Sequence, residues 1–198
     1  MQSRSEKFTL QQANAVRAAA AEFALYGYHG ASTAGIAERL GIQQGSLYYY
    51  LKSKEEALEK VCLLALQGYL QRMELIAASQ QPFAAKLQAT IAAHLLRYRE
   101  KDEALKVYND ERLYLPEARR SALKKLGTQY RELLETIVIE GIEAGEVRKV
   151  DPHFAAQTII GIGNSMGDLI VRDEQLDTVA MAQKCCDLLL NGFSIKEK

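Results

Sequence analysis

The chain has 198 residues, 48% of them apolar and 25% charged, and its formal net charge is zero. That is enough apolar material for one large or two small domains, and the neutral balance excludes a protein that coats nucleic acid by bulk charge. No apolar run reaches the ~20 residues that span a membrane, the N-terminus carries no apolar signal segment, and there is neither a low-complexity segment nor an internal repeat. Cys62, Cys185 and Cys186 make no disulfide framework, since adjacent cysteines rarely pair. They read as small buried groups in a reducing cytoplasm, with a redox switch through Cys62 as the alternative.

In chain order, residues 1–7 are polar and read as a loose arm, whose Arg4 and Lys7 could reach a minor groove. Thr9 and Gln12 form a capping box. The helix it opens runs over 10–26, with Leu10, Ala13, Ala20, Phe23 and Ala24 inward, and Gly27 ends it. Ser32 then caps a short helix over 32–40, with Ile36, Ala37 and Leu40 on one face. Gly41 supplies the left-handed turn, and Ile42 pins that turn to the core. A second short helix over 43–50 turns Leu47 and Leu51 inward and Gln43, Gln44, Ser46, Tyr48 and Tyr49 outward. Gly45 inside it costs about 1 kcal/mol against alanine, which a close backbone approach to another surface would justify. Ser53 and Glu56 make a further capping box. Lys54, beside that helix start, is a natural phosphate anchor. Two short helices around a glycine turn, with amides and phenols outward, form a helix-turn-helix suited to the major groove. Glutamine can pair with adenine there, and hydroxyls can bond phosphates. Up to Lys54 there are six basic residues against three acidic ones, a mild excess that suits phosphate contact.

The run Gly41-Ile42-Gln43-Gln44-Gly45-Ser46-Leu47-Tyr48-Tyr49-Tyr50-Leu51-Lys52-Ser53-Lys54-Glu55-Glu56 resembles the DNA-reading signature of the tetracycline-repressor (TetR) family. The pattern is a glycine turn, then Gly-Ser-Leu-Tyr, an aromatic pair and Ser-Lys-Glu; Phe23, Gly27, Ile36 and Ala37 match as well. The resemblance covers about residues 8–60. This chain has Gln43 and Gln44 where the family often has serine and lysine, which removes the usual helix cap and one cation and shifts base reading toward amides. The resemblance implies an all-α fold of about nine helices. A three-helix DNA-binding domain over 1–53 would precede an effector-binding and dimerisation domain over 54–198. Ser32, Tyr49 and Lys54 would hold phosphates, and Gln43, Gln44 and Tyr48 would read bases or set register, with Ser46 on the same DNA-binding face.

The remaining helices fall over 54–78, 83–100, 102–113, 116–144, 152–172 and 177–191, with Pro116 at the first turn of one and Asp151-Pro152 and Asp177 opening the last two. The helix over 54–78 would pass between the domains and act as a lever. Gly161, Gly163 and Gly167 among apolar residues suggest close packing, against a second copy of the chain or within the chain itself. The family resemblance implies a homodimer through the last two helices, reading a near-palindromic double-stranded operator. Polar groups on the middle helices, Tyr69, His94, Tyr98, Tyr108, Arg112, Tyr130 and Asn164, are candidates for a small-molecule effector site. The stretch from Tyr108 to Arg172 resembles regulators of fatty-acid or steroid breakdown that sense acyl-CoA thioesters. Arg97, Arg112, Arg119 or Arg120 would then meet the ligand phosphates, and a closed pocket without a basic mouth would count against this reading. His29, His94 and His153 have no ligand spacing, so no metal is expected. No nucleophile–base pair or phosphate-cradling glycine loop points to an enzyme, and no cofactor is expected. The reading is a cytoplasmic bacterial repressor, nucleoid-associated when bound to DNA. The alternative is an effector-free DNA-binding protein acting in chromosome organisation or through a protein partner.

Overall fold

The fold is set by helix caps and by apolar faces at helical spacing. The computed structural model describes residues 3–192. In order it contains α1 (Arg4–Gly30), α2 (Thr33–Leu40), α3 (Gln44–Leu47), α4 (Lys54–Ala77), α5 (Phe83–Arg99) and α6 (Glu103–Glu111). A short 3₁₀ turn (Arg112–Tyr114) follows, then α7 (Glu117–Glu143), α8 (Pro152–Arg172) and α9 (Thr178–Asn191). Among the described residues there are nine α-helices and no strand, the all-α architecture expected. None of these helices is long and apolar enough to cross a membrane.

The first helix starts earlier than its expected cap. Ser3 Oγ accepts from the Glu6 N–H at 3.1 Å, and Glu6 Oε2 accepts from the Ser3 N–H at 2.9 Å. This reciprocal pair satisfies two of the free donors at the helix start. Thr9 instead donates its hydroxyl to Ser5 O, and Leu10, expected inward, is 49% exposed. Ser3-Arg4-Ser5-Glu6 carries the same cap signature upstream, with nothing to interrupt the helix after it. Arg4 and Lys7 therefore lie on α1, not on a loose arm; Met1 and Gln2 fall outside the described residues. Gly27, at φ 69°, breaks α1 where expected, and one further turn follows it. Asp102, Asp151 and Asp177 cap α6, α8 and α9 through their carboxylates.

The chain forms two compact units, one from residues up to Gln67 together with Asp102–Leu126, the other from Gly68–Lys101 together with residues from Gly127 onward. The first has its own core. Ala15, Ala19, Ala20 and Phe23 of α1 meet Ile36 and Ala37 of α2, Leu47 of α3, Leu58, Val61 and Cys62 of α4 and Val107 of α6. Phe23 is 1% exposed, so it is core, as its spacing indicates. In the second unit α5 is the central element, packed by both α8 and α9. Leu87, Ile91 and Leu95 of α5, Leu134, Ile137 and Val138 of α7, and Ile159 and Ile170 of α8 are buried there.

Candidate functional site

In the first unit, two short helices are fixed by contacts that a short helix cannot supply by itself. Ser32 Oγ accepts from the Gly35 N–H at 2.9 Å and caps α2. Gly41 adopts φ 72° and ψ 31° and returns its N–H to Ala37 O and Glu38 O, a left-handed turn that a side chain would strain. Ile36, Ala37, Leu47 and Leu51 are each at most 2% exposed and seat both helices on α1 and α4. Glu22 of α1, 5% exposed, takes the Arg39 Nε donor of α2 at 2.7 Å. A carboxylate is stable at that depth only when paired. Gly35 leaves room for it, since a Cβ there would lie 2.1 Å from Glu22 Oε1.

The second helix of the motif is shorter than the expected 43–50. Regular α geometry covers Gln44–Leu47, and the chain continues in tighter turns, with Tyr50 N–H to Leu47 O at 2.9 Å. Gln43 stands at the cap position without a side-chain cap bond. A glutamine side chain is a poor cap, and Gly45 weakens the helix further. The outward set is as expected. Gln43, Gln44, Ser46, Tyr48 and Tyr49 are all exposed, and a Cβ at Gly45 would meet open space. Gln44 Nε2 donates to Thr33 Oγ1 at 2.8 Å, and Thr33 Oγ1 lies 3.5 Å from the Tyr48 hydroxyl. Tyr49 packs edge-on against Phe8 with centroids 5.2 Å apart, and Gln12 Nε2 donates to Tyr50 O at 3.0 Å. The early part of α1 thus clamps the end of the motif.

At the start of α4, Ser53 Oγ accepts from the Glu56 N–H at 3.1 Å, but the Glu56 carboxylate takes the Lys52 N–H at 2.8 Å. The expected reciprocal bond to Ser53 is replaced by one a residue earlier. Lys54 Nζ sits 4.8 Å above the Tyr28 ring and 3.4 Å from His29 O, which holds the ammonium beside the last turn of α1. Thr33, Phe8, Gln12 and the Glu22–Arg39 pair have no periodic signal in the sequence, because each acts across elements.

In the second unit the polar candidates form an aromatic column. Tyr69 stacks on His94 at 4.7 Å, His94 on Tyr98 at 5.8 Å, and Tyr130 meets Tyr69 edge-on at 6.0 Å. The Arg97 guanidinium lies 4.3 Å over the Tyr69 ring. His94 Nε2 is 3.0 Å from Asn164 Oδ1, within hydrogen-bond distance. Burial pushes the His94 pKa down to about 4; the Asn164 bond opposes the shift and the nearby Arg97 charge adds to it. Burial pushes Tyr130 up to about 12.

Two glycines of α8, Gly163 and Gly167, belong to this column. A Cβ at Gly163 would lie 3.0 Å from the His94 ring, and one at Gly167 2.5 Å from the Tyr98 ring. Gly163 and Gly167 thus serve packing within the chain, so their close packing is no argument for a neighbouring copy. The rings leave a cavity of about 10 Å³ beside Tyr69, Thr90, His94 and Tyr130, room for one water at most. The stacked rings fill most of the space between these side chains.

Tyr108 and Arg112 pair with each other in the first unit. Arg112 donates to Tyr108 O at 3.1 Å and lies 5.1 Å over its ring. Arg119 is paired with Glu59. A larger hollow of about 450 Å³, lined by Ser79, Phe83, Lys86, Glu140 and Glu146, carries none of the expected effector residues. Cys62, Cys185 and Cys186 are buried and unpaired with one another. Burial pushes the Cys62 thiol up to about 12, which suppresses the thiolate that oxidation needs and favours the packing role.

Comparison with known proteins places these features. The family model described as bacterial regulatory proteins, tetR family, matches residues 15–61. The one described as tetracyclin repressor-like, C-terminal domain, matches residues 80–193. The fatty acid metabolism regulator protein of Bacillus subtilis is 27% identical over 173 residues, spanning 86% of this chain and 89% of the relative. The crystal structure of the regulator PfmR from Thermus thermophilus superposes with a TM-score of 0.82 at 26% identity, covering 91% of this chain and 99% of that one. The transcriptional regulator FadR from Bacillus subtilis, solved in complex with stearoyl-CoA, gives a TM-score of 0.79 at 26% identity over 92% and 99% of the two chains. With its helix-turn-helix matched by one model and most of its remaining length by the other, the chain belongs to the TetR family of bacterial transcription regulators.

Proposed function

We propose that the protein is a dimeric transcriptional repressor that reads a near-palindromic operator and is released by an acyl-CoA or other lipid-like metabolite. The observation that carries the DNA half is the exposed polar face of α3 on a motif seated over its own buried core. Gln43, Gln44 and Tyr48 set base reading and register, with Ser46 beside them; Ser32, Tyr49 and Lys54 hold phosphates. The functional division lies near residue 53, with DNA reading before it and effector binding and dimerisation after it. Dimerisation through α8 and α9 is supported by their exposed Phe154, Leu169, Val171, Val179, Leu188 and Leu190, an apolar surface of the kind that marks an interface. Such a dimer holds two recognition helices one or more DNA turns apart. The protein acts in the bacterial cytoplasm, at the nucleoid when bound to DNA, and performs no catalysis.

The effector half rests on the stearoyl-CoA bound by the Bacillus subtilis relative. Tyr69, His94, Tyr98, Tyr130 and Asn164 line the site in this reading. The rings must separate to admit a ligand, and α4 would carry that movement toward the motif it follows. The small volume of this cavity, about 10 Å³, favours a second reading, in which the same DNA-binding protein has no small-molecule effector and answers to chromosome structure or a protein partner. Selection of genomic DNA fragments by the purified protein, with and without a panel of acyl-CoA thioesters, separates the two. The first reading predicts a near-palindrome lost with one thioester; retention with every thioester supports the second.

The Gln44→Ala variant is expected to lose about 1–3 kcal/mol of discrimination at one base pair per half-site. Binding-site selection reads this directly, and an unchanged preference would remove Gln44 from the reading face.

A further inference from the structure

The polar face of α3 is not a set of free side chains. Gln44 Nε2 donates to Thr33 Oγ1 at 2.8 Å, and the same oxygen lies 3.5 Å from the Tyr48 hydroxyl. Thr33 is the first residue of α2, so its Cα position is fixed by the Ser32 cap bond to Gly35. Its partner helix has four residues and no side-chain cap, so α3 itself does little to restrain a long side chain at Gln44. An exposed glutamine otherwise samples many rotamers and loses that freedom on binding. The Thr33 bond selects one rotamer of the side chain in advance.

The chemistry that remains on Gln44 is specific. A side-chain amide has two N–H donors and one carbonyl acceptor. Thr33 takes one donor, and one N–H and Oε1 remain for another partner. In the major groove adenine presents N7 as acceptor and the N6 amino group as donor, whereas guanine presents two acceptors, N7 and O6. The remaining pair on Gln44 matches adenine on both atoms. On guanine its carbonyl would face O6, two acceptors in opposition. Turned over, the amide would set the same carbonyl against N7 instead, so guanine is the poorer partner in either orientation, and holding the side chain in place is what lets that difference count.

We propose that Thr33 is a positioning residue for base discrimination: its hydroxyl orients the Gln44 amide so that one base pair in each half-site is read as adenine rather than guanine. This rests on the reading of α3 as the base-reading helix. It requires Thr33 to hold a side chain, not to touch the base.

The test is selection from randomised duplex DNA, followed by binding titrations on the selected site and on the site with adenine replaced by guanine at the Gln44-dependent position. The proteins are the full chain, Thr33→Val, Thr33→Ala, Thr33→Ser and Gln44→Ala. Valine keeps the branched shape without the hydroxyl, alanine guards against a packing fault of valine, and serine keeps the hydroxyl. The wild type is expected to prefer adenine, and Thr33→Val and Thr33→Ala to lower the adenine-over-guanine ratio about tenfold. Thr33→Ser is expected to retain the ratio, and the salt slope to stay unchanged in all of the Thr33 variants, since no phosphate contact is removed. An unchanged ratio in both hydroxyl-free variants overturns the proposal while leaving the operator reading intact. So does a uniform loss on both sites with a flattened salt slope, which would make Thr33 a phosphate contact, and so does failure of serine to rescue. If the wild type enriches no site, the operator reading and this proposal fall together.

Discussion

The face of α3 and the column around His94 use similar side chains to opposite ends. On and just after α3 the amides and phenols stand exposed, with contacts from Thr33, Phe8 and Tyr50. In the second unit Tyr69, His94, Tyr98 and Tyr130 face one another with almost no space between. The difference lies in what surrounds each set. A short glycine-broken helix over a packed core leaves its polar residues nowhere to turn but outward. Long helices carrying glycine opposite the rings let polar aromatics become part of the core. Polarity at helical spacing therefore marks a recognition face only when the helix is too short and too well seated to bury its other side.

The largest expected effect comes from protonating the column. His94 has a folded pKa of about 4 against 6.5 for the free side chain, so between these values the unfolded chain binds more protons. The stability from neutral His94 is complete above about pH 6.5 and is lost as pH falls toward 4. The loss reaches roughly 3 kcal/mol. Urea denaturation at several pH values should show that slope in the wild type and a flatter one in His94→Gln. Equal slopes would mean that the imidazole is more solvated than its packing indicates.

Next in size is Gly167→Ala. A Cβ there meets the Tyr98 ring at 2.5 Å, and overpacking of this kind costs about 1–3 kcal/mol. The denaturation midpoint should fall, whereas Gly161→Ala, which meets open space, should leave it level or raise it. If both variants behave alike, the glycines do not serve the column.

On the DNA side, Lys54→Ala should weaken binding to every sequence alike and reduce the salt slope by about 1. A loss confined to one operator would contradict a phosphate role. The smallest change in stability belongs to Gly45→Ala. It gains up to about 1 kcal/mol from helix propensity, since a Cβ there meets nothing within the chain. In the proposed reading the bare backbone at Gly45 approaches DNA, so the variant should still weaken operator binding. Stronger binding by the alanine variant would break the contrast between the two regions.

The two regions also differ in how far the sequence reveals them. The α2–α3 motif is local. Ser32, Gly41, Leu47 and the outward residues act within twenty positions of one another, and propensity, capping and periodicity suffice to place them. The column is not local. His94 meets Asn164 across 70 positions, and Gly163 and Gly167 face rings of another helix, so their small size reads equally well as an interface with a second copy. The early start of α1 was legible in Ser3 and Glu6, whose pattern is the same as the one at Thr9 and Gln12. Thr33 lay in plain view beside the cap, but its bond to Gln44 depends on how the turn at Gly41 folds α3 back, which no spacing states.

The central claim is that α3 reads DNA sequence, and in vitro selection from randomised duplexes with the wild type and Gln44→Ala tests it most directly. The account predicts a near-palindrome for the wild type and the same palindrome relaxed at one base pair per half-site for the variant. No enriched sequence for the wild type, or an identical sequence for both proteins, would contradict it.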